Sequence, residues 1–150
     1  MVSYSYLKTK SILFFIAFLV GLFFNPVNFL VNSFNDLNLS LAGIYSGLVM
    51  ASNMIWVNCI LHYISTNKFK LYEFLFGISL STCLIIFFLR KQLFVDDEQW
   101  LRRMISDHST GITTSNIILK KTKNETIRKL AKDIIEKEEK QIELMKSLLK

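Results

Sequence analysis

Three long apolar runs followed by two amphipathic ones divide the chain. Ser11–Val31 (SILFFIAFLVGLFFNPVNFLV), Leu41–Ile64 and Leu71–Leu89 are nearly free of charge. Each is about as long as the roughly 20 residues that a helix needs to cross a bilayer. Beyond residue 90 the pattern changes to a helical period. Over Asp96–Lys121, residues Trp100, Leu101, Met104, Ile105, His108 and Ile112 share one stripe, and Gly111 and Ser115 add room on the same face. Asn124–Leu149 carries a second stripe of Ile127, Ala131, Ile134, Ile135, Ile142, Met145 and Leu149. The expected fold is all-α: three transmembrane helices, then an antiparallel amphipathic helical hairpin. The expected division is a membrane domain over 1–90, with spans at about 11–31, 41–64 and 71–89, and a soluble helical domain over 91–150.

Local signals agree with these boundaries. Asn25-Pro26 interrupts the first run near its far end, and Asn32–Ser40 (NSFNDLNLS) reads as a polar loop without a base. No small-x-small cleavage site follows the first run, so it reads as a retained span rather than a signal peptide. Asp96-Asp97-Glu98 places acids where a helix dipole favours them, and Lys120, Lys121 and Lys123 close the same helix with bases. Asn124 is a good N-cap for the last helix.

Composition sharpens the picture. The chain of 150 residues is 51% hydrophobic, with thirteen Phe and one Pro, and its formal net charge is +6. That charge does not point to nucleic acid. The bases of the second half alternate with acids, as in Glu136-Lys137-Glu138-Glu139-Lys140, and no basic stripe with aromatic platforms occurs. The two cysteines, Cys59 and Cys83, fall inside predicted spans with no metal-finger spacing, and read as small apolar residues. Met50, Met54 and His62 in the second span have two readings, a path for a metal ion or ordinary helix packing; packing is the simpler.

One polar residue breaks the last stripe. Glu138 stands where the period asks for an apolar side chain. Folding the two helices back about Thr122–Asn124 brings Glu138 opposite His108. The same fold sets Gln141 near Ile105, and Met145 within a turn of Met104 and Leu101. A buried carboxylate needs a partner, and His108 is the candidate. A Met, a His and a carboxylate converging in a helix pair offer donors to a transition metal, the thioether favouring Cu(I) and the imidazole–carboxylate set a harder divalent ion. The plainer reading is a His–Glu hydrogen bond that fixes register.

The stretch Met104-Ile105-Ser106-Asp107-His108-Ser109-Thr110-Gly111-Ile112, followed by Leu130-Ala131-Lys132-Asp133-Ile134-Ile135-Glu136-Lys137-Glu138-Glu139-Lys140-Gln141-Ile142-Glu143-Leu144-Met145, resembles the domain-of-unknown-function 305 family. Its hallmark is Met-Ile-x-His-His with a second helix reading Leu-Ala-x-x-Ile-Ile-x-x-Gln-x-x-Glu-Ile-x-x-Met. Met50, Met54 and Arg90-Lys91-Gln92 resemble features of membrane-anchored members, so the resemblance spans about residues 41–150. Asp107 stands in place of the first motif His, Glu138 and Gln141 exchange the family's Gln and Glu, and Thr114 replaces a frequent Met. The resemblance implies a ferritin-like half-bundle, copper binding, and a periplasmic or membrane location. It implies metal-ligand roles for His108, Met104 and Met145, with Glu138 and Asp107 as oxygen donors or orienters.

Two amphipathic helices of this size do not bury their stripes alone. A second copy is expected to complete a four-helix bundle, which would bring two His108 and two Glu138 into one interior. The partners expected are therefore the lipid bilayer and a second copy of the chain, with no nucleic acid. A di-metal redox enzyme would need Glu-x-x-His on facing helices; none occurs, and no catalysis is expected. The expected function is membrane-anchored, extracytoplasmic metal binding, with copper as the expected ion. The alternative is a membrane-anchored oligomerisation or adaptor module with a purely structural His–Glu contact. Orientation rests on the basic residues. Lys8, Lys10, Lys68 and Lys70 on one side tie with Arg90, Lys91, Arg102 and Arg103 on the other, four each, and the first helix favours an inside N-terminus.

Overall fold

A computed structural model describes residues 4–149, and among them every regular element is helical. Helix α1 covers Tyr4–Phe23, α2 Pro26–Leu30, α3 Leu41–Thr66, α4 Leu71–Cys83, α5 Asp97–Lys121 and α6 Glu125–Leu148. A single 3₁₀ turn lies at Phe34–Asp36, and α4 runs on into a π-helical turn over Leu84–Arg90. Three stretches, Lys8–Leu30, Leu41–Thr66 and Leu71–Arg90, are long and apolar enough to cross a membrane. The chain divides into two compact units, residues 1–24 with 41–94, and residues 25–40 with 95–150.

In the first unit α3 packs against both α1 and α4. The α1–α3 crossing is set by glycine. A Cβ on Gly21 would lie 2.9 Å from the Gly47 Cα, and one on Gly47 would lie 2.9 Å from the Phe18 carbonyl oxygen. In lipid, where apolar contact between helices has no hydrophobic advantage, such close backbone approach gains the dispersion that holds helices together. The α3–α4 contact adds a polar clasp. Ser81 Oγ donates to Asn53 Oδ1 at 2.6 Å, and Trp56 Nε1 donates to the same oxygen at 3.0 Å. This satisfies an amide that would be costly if it faced hydrocarbon. Cys59 is buried and Cys83 exposed, and both are free thiols. The unit closes on a strained turn: Gln92 and Phe94 have positive φ. The Tyr45 hydroxyl holds the Leu93 carbonyl at 2.6 Å, and the Phe94 ring meets Phe88.

The second unit takes in residues 25–40, which the division expected at residue 90 leaves with the first half. The first candidate span runs through Leu30, close to the end expected at Val31, with a break at Asn25-Pro26. In the structure the helix stops at Phe23. Asn25 then caps α2 by accepting the Val27 amide at 3.0 Å, with Pro26 at the first helical position. Helix α2 packs on α5. The loop read as merely polar is anchored by Asp36, only 4% exposed. Ser109 Oγ donates to its carboxylate at 2.7 Å, and Lys146 forms an ion pair with it. Ser106 Oγ donates to the Asp36 carbonyl at 2.8 Å, while the amides of Asn32 and Asn38 donate to Ser109 Oγ and Ser106 Oγ. The serines on the far side of α5 thus replace water for a loop that would otherwise bury bare polar groups.

Helices α5 and α6 pack on each other across the Thr122–Asn124 connection. Asp96 caps α5 by accepting the Gln99 amide at 2.8 Å, and Asn124 caps α6 through the Thr126 and Ile127 amides. The core is the cluster Leu101, Ile105, Ile112, Ile142 and Met145, with Met104, Ile135 and Leu149 against it. Met145 therefore sits with Leu101 and Met104, as the register predicts. Gln141 is exposed and Ile105 is fully buried. The turn of α6 that buries Ile142 points its neighbour Gln141 outward.

Replacing Asp36 with Ala removes the acceptor for Ser109 and the counter-charge for Lys146. Because Lys146 can regain water, the expected loss is about 2 kcal/mol, the scale of hydrogen bonds to a charged group. Thermal unfolding of the full chain in detergent measures it. Faster amide exchange across Ser106–Ile112 locates it; unchanged exchange there refutes the anchoring role.

Candidate functional site

The candidate site is the polar interruption of the α5–α6 interface. His108 lies one turn beyond Met104 on α5, and Gly111 one turn beyond His108. Glu138 approaches from α6, where a Cβ placed on Gly111 would lie 2.2 Å from Glu138 Oε2 and 2.7 Å from Oε1. The carboxylate thus occupies the space that glycine leaves. Glu138 is half-buried as a residue, yet its Oε2 is closed off from solvent and has no hydrogen-bond partner. The same holds for His108 Nδ1. These are the buried side-chain polar atoms left unpaired among the described residues. Unpaired buried groups are uncommon and cost about 1–3 kcal/mol each.

Burial holds the Glu138 carboxyl above the ordinary carboxylate range, and the electrostatic influence of His108 offsets part of that effect.

The other predicted ligands are engaged elsewhere. Asp107 forms a two-point pair with Arg103, from Nε to Oδ2 at 2.9 Å and from the terminal nitrogen to Oδ1 at 2.9 Å. This i,i+4 pairing along one helix holds the carboxylate on an arginine and satisfies both its oxygens. Met145 is buried in the apolar cluster and Met104 packs against it. Among the described residues no group of three or more His, Cys, Asp or Glu converges. One chain therefore presents a two-donor set of imidazole and carboxylate. That chemistry suits a borderline divalent ion better than Cu(I), which wants thioether sulfur.

Sequence reasoning passed over Asp36, Ser106, Ser109 and Lys146. The signal available was the placement of Ser106 and Ser109 off the apolar stripe of α5, small hydroxyls three residues apart where long charged side chains would normally sit.

The helix pair carries the pattern of a family. Residues 94–150 match the model described as "Domain of unknown function (DUF305)". Over 134 residues, 89% of this chain, the sequence is 34% identical to the uncharacterized protein L153 of Acanthamoeba polyphaga mimivirus, 87% of which is covered. The chain belongs to the family of that relative, and its C-terminal part to the DUF305 domain family. No solved structure matches.

Two variants test the geometry. Glu138 binds its proton more tightly in the folded chain than in the unfolded one. Stability should therefore fall as pH rises above the ordinary glutamate range toward the raised folded value, because ionisation is easier in the unfolded state. Glu138→Gln should abolish that fall and leave the variant more stable than wild type at pH 8, by thermal unfolding in detergent; an unchanged pH slope would show that the carboxyl is solvated. Gly111→Ala should expel the flexible carboxylate at little steric cost and gain helix propensity, for a net stabilisation of up to about 1 kcal/mol. A marked loss of stability would refute this.

Proposed function

We propose that this chain is a multi-pass membrane protein whose α5–α6 hairpin faces the extracytoplasmic side and binds a metal ion without catalysing a reaction. The observation that carries this reading is the pair of unpartnered, buried donor atoms, His108 Nδ1 and Glu138 Oε2. A buried imidazole nitrogen and a buried carboxylate oxygen, both left unpaired, are the kind of donors that an N/O-ligated ion uses. Two donors make half a site. A second copy packed through the exposed apolar residues of the hairpin, Trp100, Leu130, Leu144 and Leu148 among them, supplies the other half and completes a four-helix, ferritin-like bundle. Of the oxidation states of copper, the divalent one fits the donors of His108 and Glu138; Met104 and Met145 contribute packing around them.

The membrane arrangement has its own support. Residues 25–40 group with residues 95–150 in one unit, which supports a reading with the loop after the first span and the hairpin on the same side of the bilayer. Two of the three candidate spans separate them, and two crossings return the chain to the side it left. The lysines at positions 8 and 10 favour an inside N-terminus, which supports an extracytoplasmic hairpin.

A second reading follows from Asp107 being committed to Arg103 and both methionines to the core. In it, the hairpin is an assembly module and His108–Glu138 a polar contact that fixes register. Titration of the purified full chain with Cu(II) and Zn(II), with oligomeric state followed by sedimentation, separates the two. Metal binding predicts one ion per pair of chains, lost in His108→Ala and also in Gly111→Ala, whose stability is retained. A stable dimer that binds neither ion refutes the metal reading and leaves the assembly module.

A further inference from the structure

The first unit contains a cavity that the hairpin's chemistry does not use. Helices α1, α3 and α4 enclose a groove of 740 Å³, walled by Phe14 on α1, Met54 on α3 and Phe76 and Leu80 on α4. It adjoins a polar pocket of 390 Å³, lined by Lys10 on α1, His62 on α3, Lys70 and Glu73. Tyr6, Lys10, Leu13, Asn58 and Glu73 border both. The groove volume lies within the range of about 300–1,000 Å³ typical of small-molecule sites. Its walls lie within the candidate spans, so hydrocarbon, not water, is its natural filling.

The polar end is organised around Glu73. The Tyr6 hydroxyl donates to both Glu73 oxygens at 3.0 Å and accepts from Lys70. Lys70 and Lys10 lie 3.4 and 3.6 Å from the Glu73 carboxylate. Both ammonium groups also lie over the Tyr6 ring, at 4.3 and 5.5 Å from its centroid. Two fixed ammoniums against one carboxylate leave an excess of one positive charge. Lys8 and Lys68, two residues from Lys10 and Lys70 along the chain, line neither the groove nor the pocket. An apolar groove that opens into a positively charged pocket matches the two ends of an anionic amphiphile.

We propose that this groove is a binding site for an anionic phospholipid of the surrounding bilayer. One acyl chain lies along Phe14, Met54, Phe76 and Leu80, and the phosphate sits in the pocket against Lys10 and Lys70. Glu73 and Tyr6 are positioning residues: they hold the two ammoniums side by side and leave each with donors for the phosphate. The proposal rests on the spans being membrane-embedded and is independent of the metal reading.

The test uses the full chain in detergent, with one equivalent each of dioleoyl phosphatidylglycerol and dioleoyl phosphatidylcholine, and bound lipid read by native mass spectrometry. The expected result is one phosphatidylglycerol per chain, preferred about tenfold, which corresponds to about 1.4 kcal/mol. Lys10→Gln with Lys70→Gln should bring the ratio near one, whereas Lys8→Gln with Lys68→Gln should leave it unchanged. Leu80→Trp, which fills the groove and keeps every lysine, should lower occupancy at least tenfold. That variant keeps the test decisive if the lysine variant fails to fold. Equal binding of the two lipids, equal loss in both lysine pairs, or full occupancy in Leu80→Trp overturns the site. Oleate displacing phosphatidylglycerol at equal concentration overturns the phospholipid assignment in favour of a free fatty acid. Release of the chain from membranes by alkaline carbonate overturns the spanning reading and this one together; retention without lipid preference overturns only the site.

Discussion

The second unit depends on one buried carboxylate. Asp36 is almost fully enclosed, and its charge is met by Lys146 from α6 and the Ser109 hydroxyl from α5. Without those partners its desolvation would forbid the position. With them, a loop distant in sequence becomes part of the helical domain, and both helices are fixed to it at once. The serines do more than accept one residue. Ser106 and Ser109 each donate to Asp36 and each accept a loop amide. Two hydroxyls thus satisfy four polar groups in a place that water does not reach.

That arrangement explains where the sequence was legible and where it was not. The helical pattern announced itself wherever a period of 3.6 could be sustained. The stripe through Leu101, Ile105 and Ile112, the opposing one through Ile142 and Met145, and the caps at Asp96 and Asn124 all follow from local rules. So does the break at Asn25-Pro26. The role of Asp36 does not, because nothing local marks it. Its partners lie 73 and 110 positions away, and a single acid in a Ser- and Asn-rich loop looks like any solvated turn.

The candidate site was legible in part for the same reason. Glu138 stood out because it violated the stripe, and its approach to Gly111 required only the register that the stripe supplied. Asp107 was harder to place. Residues 107 and 108 differ by about 100° on a helix, so one can face α6 only if the other turns toward the flank. Arg103, one turn earlier, is there to take it. A motif that writes two ligands at adjacent positions therefore places one at the helix interface and leaves the other to a neighbouring chain or to a salt bridge. In this chain the salt bridge takes Asp107.

The unit thus contains two buried carboxylates with opposite histories. Asp36 receives both a hydroxyl and an ammonium, while Glu138 is left with an oxygen unpaired, as His108 is with a ring nitrogen. A carboxylate needed only for register would gain stability from any donor on the adjoining turns, and α5 has hydroxyls to spare at Thr110, Thr113 and Thr114. Each of these donates instead to a carbonyl of its own helix. In place of a donor, the position facing Glu138 holds a glycine, which makes room and supplies no hydrogen bond. Unmet lone pairs cost a helix pair free energy unless something enters to use them. A second hairpin alone would bring the same acceptors and leave the same excess of lone pairs. A cation between the two copies would answer them. On that ground the metal reading of His108 and Glu138 stands ahead of the purely structural one.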